Sequence, residues 1–573
     1  MRLLLQEYLA VLKEEKELES LVSNLVTSMS LDVETSPQKG VRQHGVDLHA
    51  VGTDPEDHTK KNFLITIKQG HINRTGWNEG NQGVRSSLDE IIDVYIPTKL
   101  HPSLKELPSK IIWCCGGELK AEVTENWNGY CSNNPTIQFE LWNGSRLSSL
   151  IEKYLLDENI FDEKVKTKMR RTLVVLSDYG YDFSHYKEML NDILFNDVWN
   201  SLAENKIVKE AVKTLSTIPV CLGMIQKYSE EAKNLKHPLI ASEFTLLRVW
   251  DFIQKNKLEG NRTIVGIFWD LYEMYRISGI HYFNKIYPHT KIEHGITSQC
   301  NNSILASKIV FEQIGVLSTL GLLELFRGML TSENTTQQDT ERIATTLKNV
   351  INNNGISGSP CFDEMTIDIA LAAYFLATQG DFVFIKEWFL DIMQRFFHSY
   401  NIMGKGFPVS SNSIEVLIEF EKQGIHTKED MSSTSSLLAL IGYWCVILDD
   451  NELYPQLVDF VETSLSHCTI QMWFPAKGIK ESLYKKYAAN EFGNTEAPIH
   501  FPKSIDELRH RLLKLIDFSK QSEDFETRWD DVPPLLPLIA SRHFRTPVIP
   551  FFWLCFLTII EKTKSKVPPT ASQ

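Results

Sequence analysis

Residues 63–70 read FLITIKQG. Five apolar or β-branched residues run into a lysine and a Gln-Gly turn, which is the composition of a short, mostly buried strand ending on a cation. Alternation along such a strand puts Leu64, Thr66 and Lys68 on one face. Upstream, GVDLHAVG at 45–52 has the same texture, and there alternation groups Asp47 with His49 and Val51. The turn-forming segment TDPEDHTKKN joins the two. A β-meander is therefore expected, with the two polar faces side by side and Asp47 within reach of Lys68.

The flanking segments extend this unit. Leucines and valines at helical spacing over 4–28 predict a helix containing Glu19, and LDVET at 31–35 predicts a strand before the meander. Further on come a helix over 84–96, a strand over 110–117, the helix-like ELKAEVTENW, a strand over 136–142 and a helix in SRLSSLIEKYLL. Residues 1–156 thus read as an α/β domain, a central mixed β-sheet flanked by helices. Beyond 156 nearly every segment is apolar at the 3.6-residue period, so a large all-α region follows. The polar stretch TSENTTQQDTER at 331–342 divides it into expected helical domains at 157–332 and 341–562. No fixed-period repeat is visible.

The totals agree with several domains. A chain of 573 residues exceeds one core, and at roughly 100 to 200 residues per domain it makes about three. With 43% hydrophobic and 23% charged residues and a formal charge of -14, it reads as a globular protein that carries no general phosphate-binding coat. Residues 1–155 are also acidic, 16 Lys+Arg against 21 Asp+Glu. Nucleic acid would need a local patch, and KVKTKMRR at 164–171 is the clearest basic run. The nine cysteines include no CxxC pair, which predicts neither a zinc site nor a disulfide framework and suits a reducing cytoplasm. The N-terminal apolar run is too short for a signal peptide. The run VIPFFWLCFLTII at 548–560 falls short of the roughly 20 residues of a membrane span, so a buried helix is expected there. No GxxxxGK[ST] nucleotide loop occurs.

A strand carboxylate beside a strand-end lysine suits metal-assisted phosphodiester cleavage, in which the acid fixes Mg²⁺ and the lysine positions or activates the attacking water. In these residues the sequence resembles the PD-(D/E)xK nuclease superfamily, in its restriction-endonuclease-like branch. The likeness rests on the helix ELESLVSNLV, the QHGVDLHAVG strand with its QxGxD, the FLITIK strand, the helix after it and the late unit IQFELWNGSRLSSLIEKYL. It covers about residues 1–156 and implies an endonuclease that hydrolyses DNA with Mg²⁺ or Mn²⁺. The resemblance makes Asp47, Lys68 and Glu19 the catalytic residues, with Glu17 the competitor of Glu19. The metal would be held by Asp47, Glu19 and the Ile67 carbonyl. Thr66 stands where the family has a second strand acid, so Glu19 or Glu90 would supply the missing charge. The loop NRTGWNEGNQGVRSS suggests phosphate contacts from Gln69, Arg74, Gln82 and Arg85, while Trp77 fits a base stack less well than a buried anchor.

Other readings compete. Thr66 also suits a nuclease fold that binds nucleic acid without cutting it. RISGIH, Arg276 to His281, has the Arg-x4-His spacing of the HEPN ribonucleases, although Gly279 is expected to interrupt that helix. His294, His398 and His543 have no companions at metal-ligand spacing. The size of the helical part suggests that it regulates or targets the first domain, through a regulatory protein partner or a homo-oligomer. By family analogy the setting would be antiviral defence against phage.

Overall fold

The computed structural model describes residues 2–35, 44–78, 83–155, 161, 163–178, 180–331, 335–485, 493–527, 529, 532–533, 535–548 and 550–564. The chain divides between Met274 and Tyr275 into two compact units, Met1–Met274 and Tyr275–Gln573. Helices 163–274 fall in the first unit with the α/β part, and residues 332–334, where a division was expected, lie outside the described residues.

The first unit begins with three helical pieces where one helix was expected. Helix α1 (Arg2–Val11) gives way to a π-helical turn, Glu14–Leu18, and then to α2 (Glu19–Ser28). In that turn the Leu18 N–H reaches back to the Lys13 carbonyl at 3.0 Å, and the Glu19 N–H to the Glu14 carbonyl. Leu18 is fully buried, so the wider turn keeps an apolar anchor under an acidic surface.

Strands β1 (Asp32–Thr35), β2 (Leu48–Thr53) and β3 (Lys60–Lys68) form the expected antiparallel meander, and β4 (Ser109–Cys115) and β5 (Gln138–Trp142) continue the sheet parallel to β3. Leu48 pairs with Ile65 and His49 with Leu64, which fixes the face on which each side chain emerges. One face holds Leu64, Ile111, Trp113 and Cys115 in a core completed by α3 (Arg74–Asn78), α4 (Val84–Glu90) and α5 (Ala121–Asn133). Trp77 is a buried anchor there, with ring centroids 5.4 Å from Trp113 and 6.0 Å from Tyr130. Helix α6 (Gly144–Tyr154) packs against α1 and α2, and α2 and α6 pack against the sheet.

At the opposite end of β3 from Lys68 a buried ionic network closes the sheet. The Asp54 carboxylate, 1% exposed, accepts from Lys61 Nζ at 2.9 Å and Lys110 Nζ at 3.0 Å. Lys110 also reaches Glu56 at 3.1 Å and Glu140 at 2.7 Å. Arg146 joins those two carboxylates from α6.

Helices α7 (Glu163–Val174), α8 (Ser184–Leu194), α9 (Val198–Ser201), α10 (Glu204–Glu231) and α11 (Lys236–Lys255) complete this unit with the first half of α12 (Arg262–Thr290). Within it α10 packs along α1.

In the second unit α13 (Ser303–Thr331) is the central helix, in contact with α14 (Thr335–Asn353) and α15 (Thr366–Thr378). By length and composition α13 could cross a membrane, but 78% of its apolar window is buried inside the protein. Among the described residues after 156, helices dominate and two small sheets occur. Thr434–Ser435 pairs in parallel with Thr469–Ile470, and Met472–Pro475 pairs antiparallel with Gly493–Glu496. None of the nine cysteines is in a disulfide.

Gly279 does not interrupt α12, which runs through it. A Cβ at that position would lie 2.2 Å from Leu320 Cδ2 of α13, so glycine is what permits the close helix approach. Gly279→Ala should therefore destabilise the second unit by about 1–3 kcal/mol through overpacking, read as a lower denaturation midpoint of its transition.

Candidate active site at the end of β3

Asp47 sits in a bend before β2, and the glycine two residues earlier explains how it gets there. Gly45 has φ +80, and a Cβ on it would stand 2.1 Å from the Ser87 carbonyl oxygen of α4. The chain thus presses against α4 and turns Asp47 toward β3. The Asp47 N–H then donates to the Ile65 carbonyl at 2.9 Å, and the carboxylate accepts the Ile67 N–H at 2.7 Å. The Thr66 hydroxyl lies 3.4 Å from the same carboxylate oxygen.

Thr66 is fully buried. A carboxylate in its place would face Asp47 in a site shielded from water, and the two charges would oppose one another. The threonine instead supplies a neutral donor. Burial pushes the Asp47 carboxyl above its usual range, and the nearby Glu14 charge adds to the rise, while the Ile67 N–H, Lys68 and Thr66 oppose it.

Lys68, the last residue of β3, is half-buried, and its ammonium donates to Glu14 Oε1 at 3.0 Å. The helix acid in contact with Lys68 is therefore Glu14. Glu19 opens α2 half-buried, five residues further on, and Glu17 pairs with Lys213 of α10. The resemblance put the helix acid on Glu19, whereas the π-helical turn Glu14–Leu18 brings Glu14 to Lys68. A run with glutamates at 14, 15, 17 and 19 carries no further signal to choose among them.

Asp47, Thr66, Lys68 and Glu14 thus converge at one end of β3. Among the described residues no three His, Cys, Asp or Glu side chains gather as a metal cage. Two carboxylates still fit Mg²⁺, which commonly takes one or two from the protein and fills its octahedron with water and substrate phosphate oxygens.

The predicted phosphate contacts are more dispersed. Gln69 and Arg85 are exposed, and so is Arg74 at the start of α3, where its N–H donates to Glu122 Oε1 at 3.3 Å. Gln82 lies outside the described residues. Glu90 ends α4, and the carboxylate charge acting on Asp47 is that of Glu14. In the basic run, Lys168 is paired with Asp192 at 2.6 Å.

A cavity of about 470 Å³ lies nearby in the same unit, lined by α1, α10, α12 and the ends of β3 and β4, including His71, Glu118 and Arg262. Glu7 and Asp270 also line it. Burial raises both carboxyls, and the Asp270 charge adds to the rise at Glu7. So acidic a lining disfavours a phosphate backbone. In the second unit Arg276 is ion-paired to the buried Glu324 at 3.1 Å, and His281 is exposed. A further cavity there, of about 590 Å³, is lined by the Arg395–Asp391 and Lys405–Glu421 pairs over an apolar floor.

Comparison of the chain with family models, with curated proteins and with solved structures gives no match in any of the three.

Proposed function

We propose that the chain is a Mg²⁺- or Mn²⁺-dependent nuclease of the PD-(D/E)xK type, acting on DNA. The single observation that supports this most is the meeting of Asp47 and Lys68 at one end of β3, on a sheet whose antiparallel meander passes into parallel strands. Asp47 and Glu14 would hold the ion, with the Ile67 carbonyl as a further oxygen. The metal would lower the pKa of a bound water and offset charge growing on the phosphate.

The chain's own groups have separate tasks. Lys68 orients the attacking water and stabilises negative charge beside it, while Glu14 sets where the ammonium points. Thr66 and the Ile67 N–H keep the Asp47 carboxylate from rotating. The exposed Arg74, Arg85 and Gln69 would steer a phosphate backbone, and the overall acidic charge limits non-specific binding. The large helical part would regulate or target the cut.

The test is direct. Purified full-length protein should nick or linearise plasmid, or degrade single-stranded DNA, with Mg²⁺ or Mn²⁺, and EDTA should stop it. Lys68→Ala should lower the rate by about 100-fold. Cutting untouched by Lys68→Ala would remove the site, and cleavage of RNA in EDTA would favour the Arg276/His281 alternative. DNA binding that survives with no cutting under any metal would point to a fold that has kept only recognition.

A further inference from the structure

We propose that Lys213 of α10, outside the α/β layer, is a positioning residue for the site. Through Glu17 it holds the π-helical turn that presents Glu14 to Lys68. The inference deepens the nuclease reading, on which its cleavage arm alone depends.

The turn is an unstable piece of chain by composition. Glu14 and Glu17 stand three residues apart in one turn, EEKEL, and like charges at that helical spacing repel. The wider π-helical geometry adds to the cost of forming it. Two distant cations offset this. Lys68 of β3 takes Glu14, and Lys213 takes Glu17. The second pair is half-buried, with side chains 24% and 26% exposed, so it is less screened than a surface pair.

Glu17 also closes the turn on itself. Its Oε2 accepts the Lys13 N–H at 2.9 Å, an amide at the head of the turn that no intrahelical carbonyl can serve, while Oε1 accepts from Lys213. One carboxylate therefore ties the start of the turn to α10. A shift of Glu17 carries Glu14 with it, because both lie on the same short turn whose foot is the buried Leu18. The packing of α10 along α1 gives that tie a rigid support. Helical segments after 156 thus bear on the orientation of the site lysine through two ion pairs in series.

The experiment uses full-length protein and four variants: Lys213→Glu, the milder Lys213→Met, the conservative Lys213→Arg and the swap Glu17→Lys/Lys213→Glu. Amide hydrogen exchange over residues 14–18 should speed up by about tenfold in Lys213→Glu, less in Lys213→Met, and return toward wild type in Lys213→Arg and the swap. Metal-dependent DNA cleavage should fall and recover in the same order. Unchanged exchange in Lys213→Glu would overturn the inference, as would faster exchange with wild-type cleavage. If the wild type cuts no nucleic acid, the nuclease reading falls, while the exchange arm still decides whether α10 holds the turn. A general unfolding would accelerate exchange in the β4 amides too and would not be restored by the swap, which separates it from the local effect.

Discussion

Asp47→Asn is expected to lower metal-dependent DNA cleavage by about 100-fold or more and to leave the protein at least as stable as the wild type at pH 7. The two effects have one cause. Burial raises the Asp47 carboxyl above its ordinary range. A group whose pKa is higher in the folded than in the unfolded chain favours folding below the unfolded value, near 4, and loses that contribution as pH rises through the folded value. At neutral pH the ionised Asp47 is thus held at a cost. Asparagine keeps an oxygen for the Ile67 N–H and for Thr66, is neutral throughout, and cannot serve as an anionic metal ligand. The denaturation midpoint of the first unit should rise relative to wild type at pH 7, and the difference should shrink toward pH 4. A variant that loses both activity and stability would show Asp47 to be structural.

At the other end of the same strand, Asp54→Ala should destabilise the first unit by about 3–5 kcal/mol, the usual cost of leaving buried charge without its partner. One carboxylate there separates two ammonium groups, Lys61 and Lys110, both almost wholly buried. Burial alone would raise the Asp54 carboxyl, but donations from Lys61, the Glu56 N–H and Lys110 hold it below the ordinary range. Its contribution is therefore present above about pH 4 and lost as pH falls through the folded value. The check is denaturant unfolding followed on the first unit at pH 7 and pH 3, with the gap between wild type and variant narrowing in acid. A loss below 1 kcal/mol at pH 7 would mean that Asp57, which also pairs with Lys61, and Glu56 and Glu140, which pair with Lys110, suffice for both lysines.

Which parts of this were legible beforehand follows from the range of the forces involved. Apolar alternation showed β2 and β3, and a short turn segment made them a meander, so Asp47 was expected beside Lys68 without knowledge of the rest. The apolar run IIWCC around Trp113 and the lone Trp77 spoke for burial in the same way. Residue type cannot show where a helix changes its step. The 4–28 segment keeps helical periodicity across the π-helical turn, and only packing of Leu18 and the two outside lysines reveals that Glu14 meets Lys68. Gly279 looked like a break because an isolated helix penalises glycine, whereas contact with Leu320 makes its missing side chain a requirement.

The polar segment near 332 looked like a linker for a related reason. A polar composition is shared by linkers and by connections between packed helices, and α13 and α14 pack against each other. The two small sheets after residue 434 escaped notice because strands of two to four residues show no period.

By itself the sequence determined the α/β order of the first 155 residues, the helical character of most of the remainder and the nearness of Asp47 to Lys68, because periodic burial and short turns act within a few residues. Only the tertiary structure decided that Glu14 is the acid on the lysine, that Thr66 supports Asp47 with a hydroxyl, and that Lys213 of α10 pairs with Glu17. Those contacts join residues 19 to 196 positions apart, and their energies depend on a desolvation and a geometry that exist only once the chain has packed.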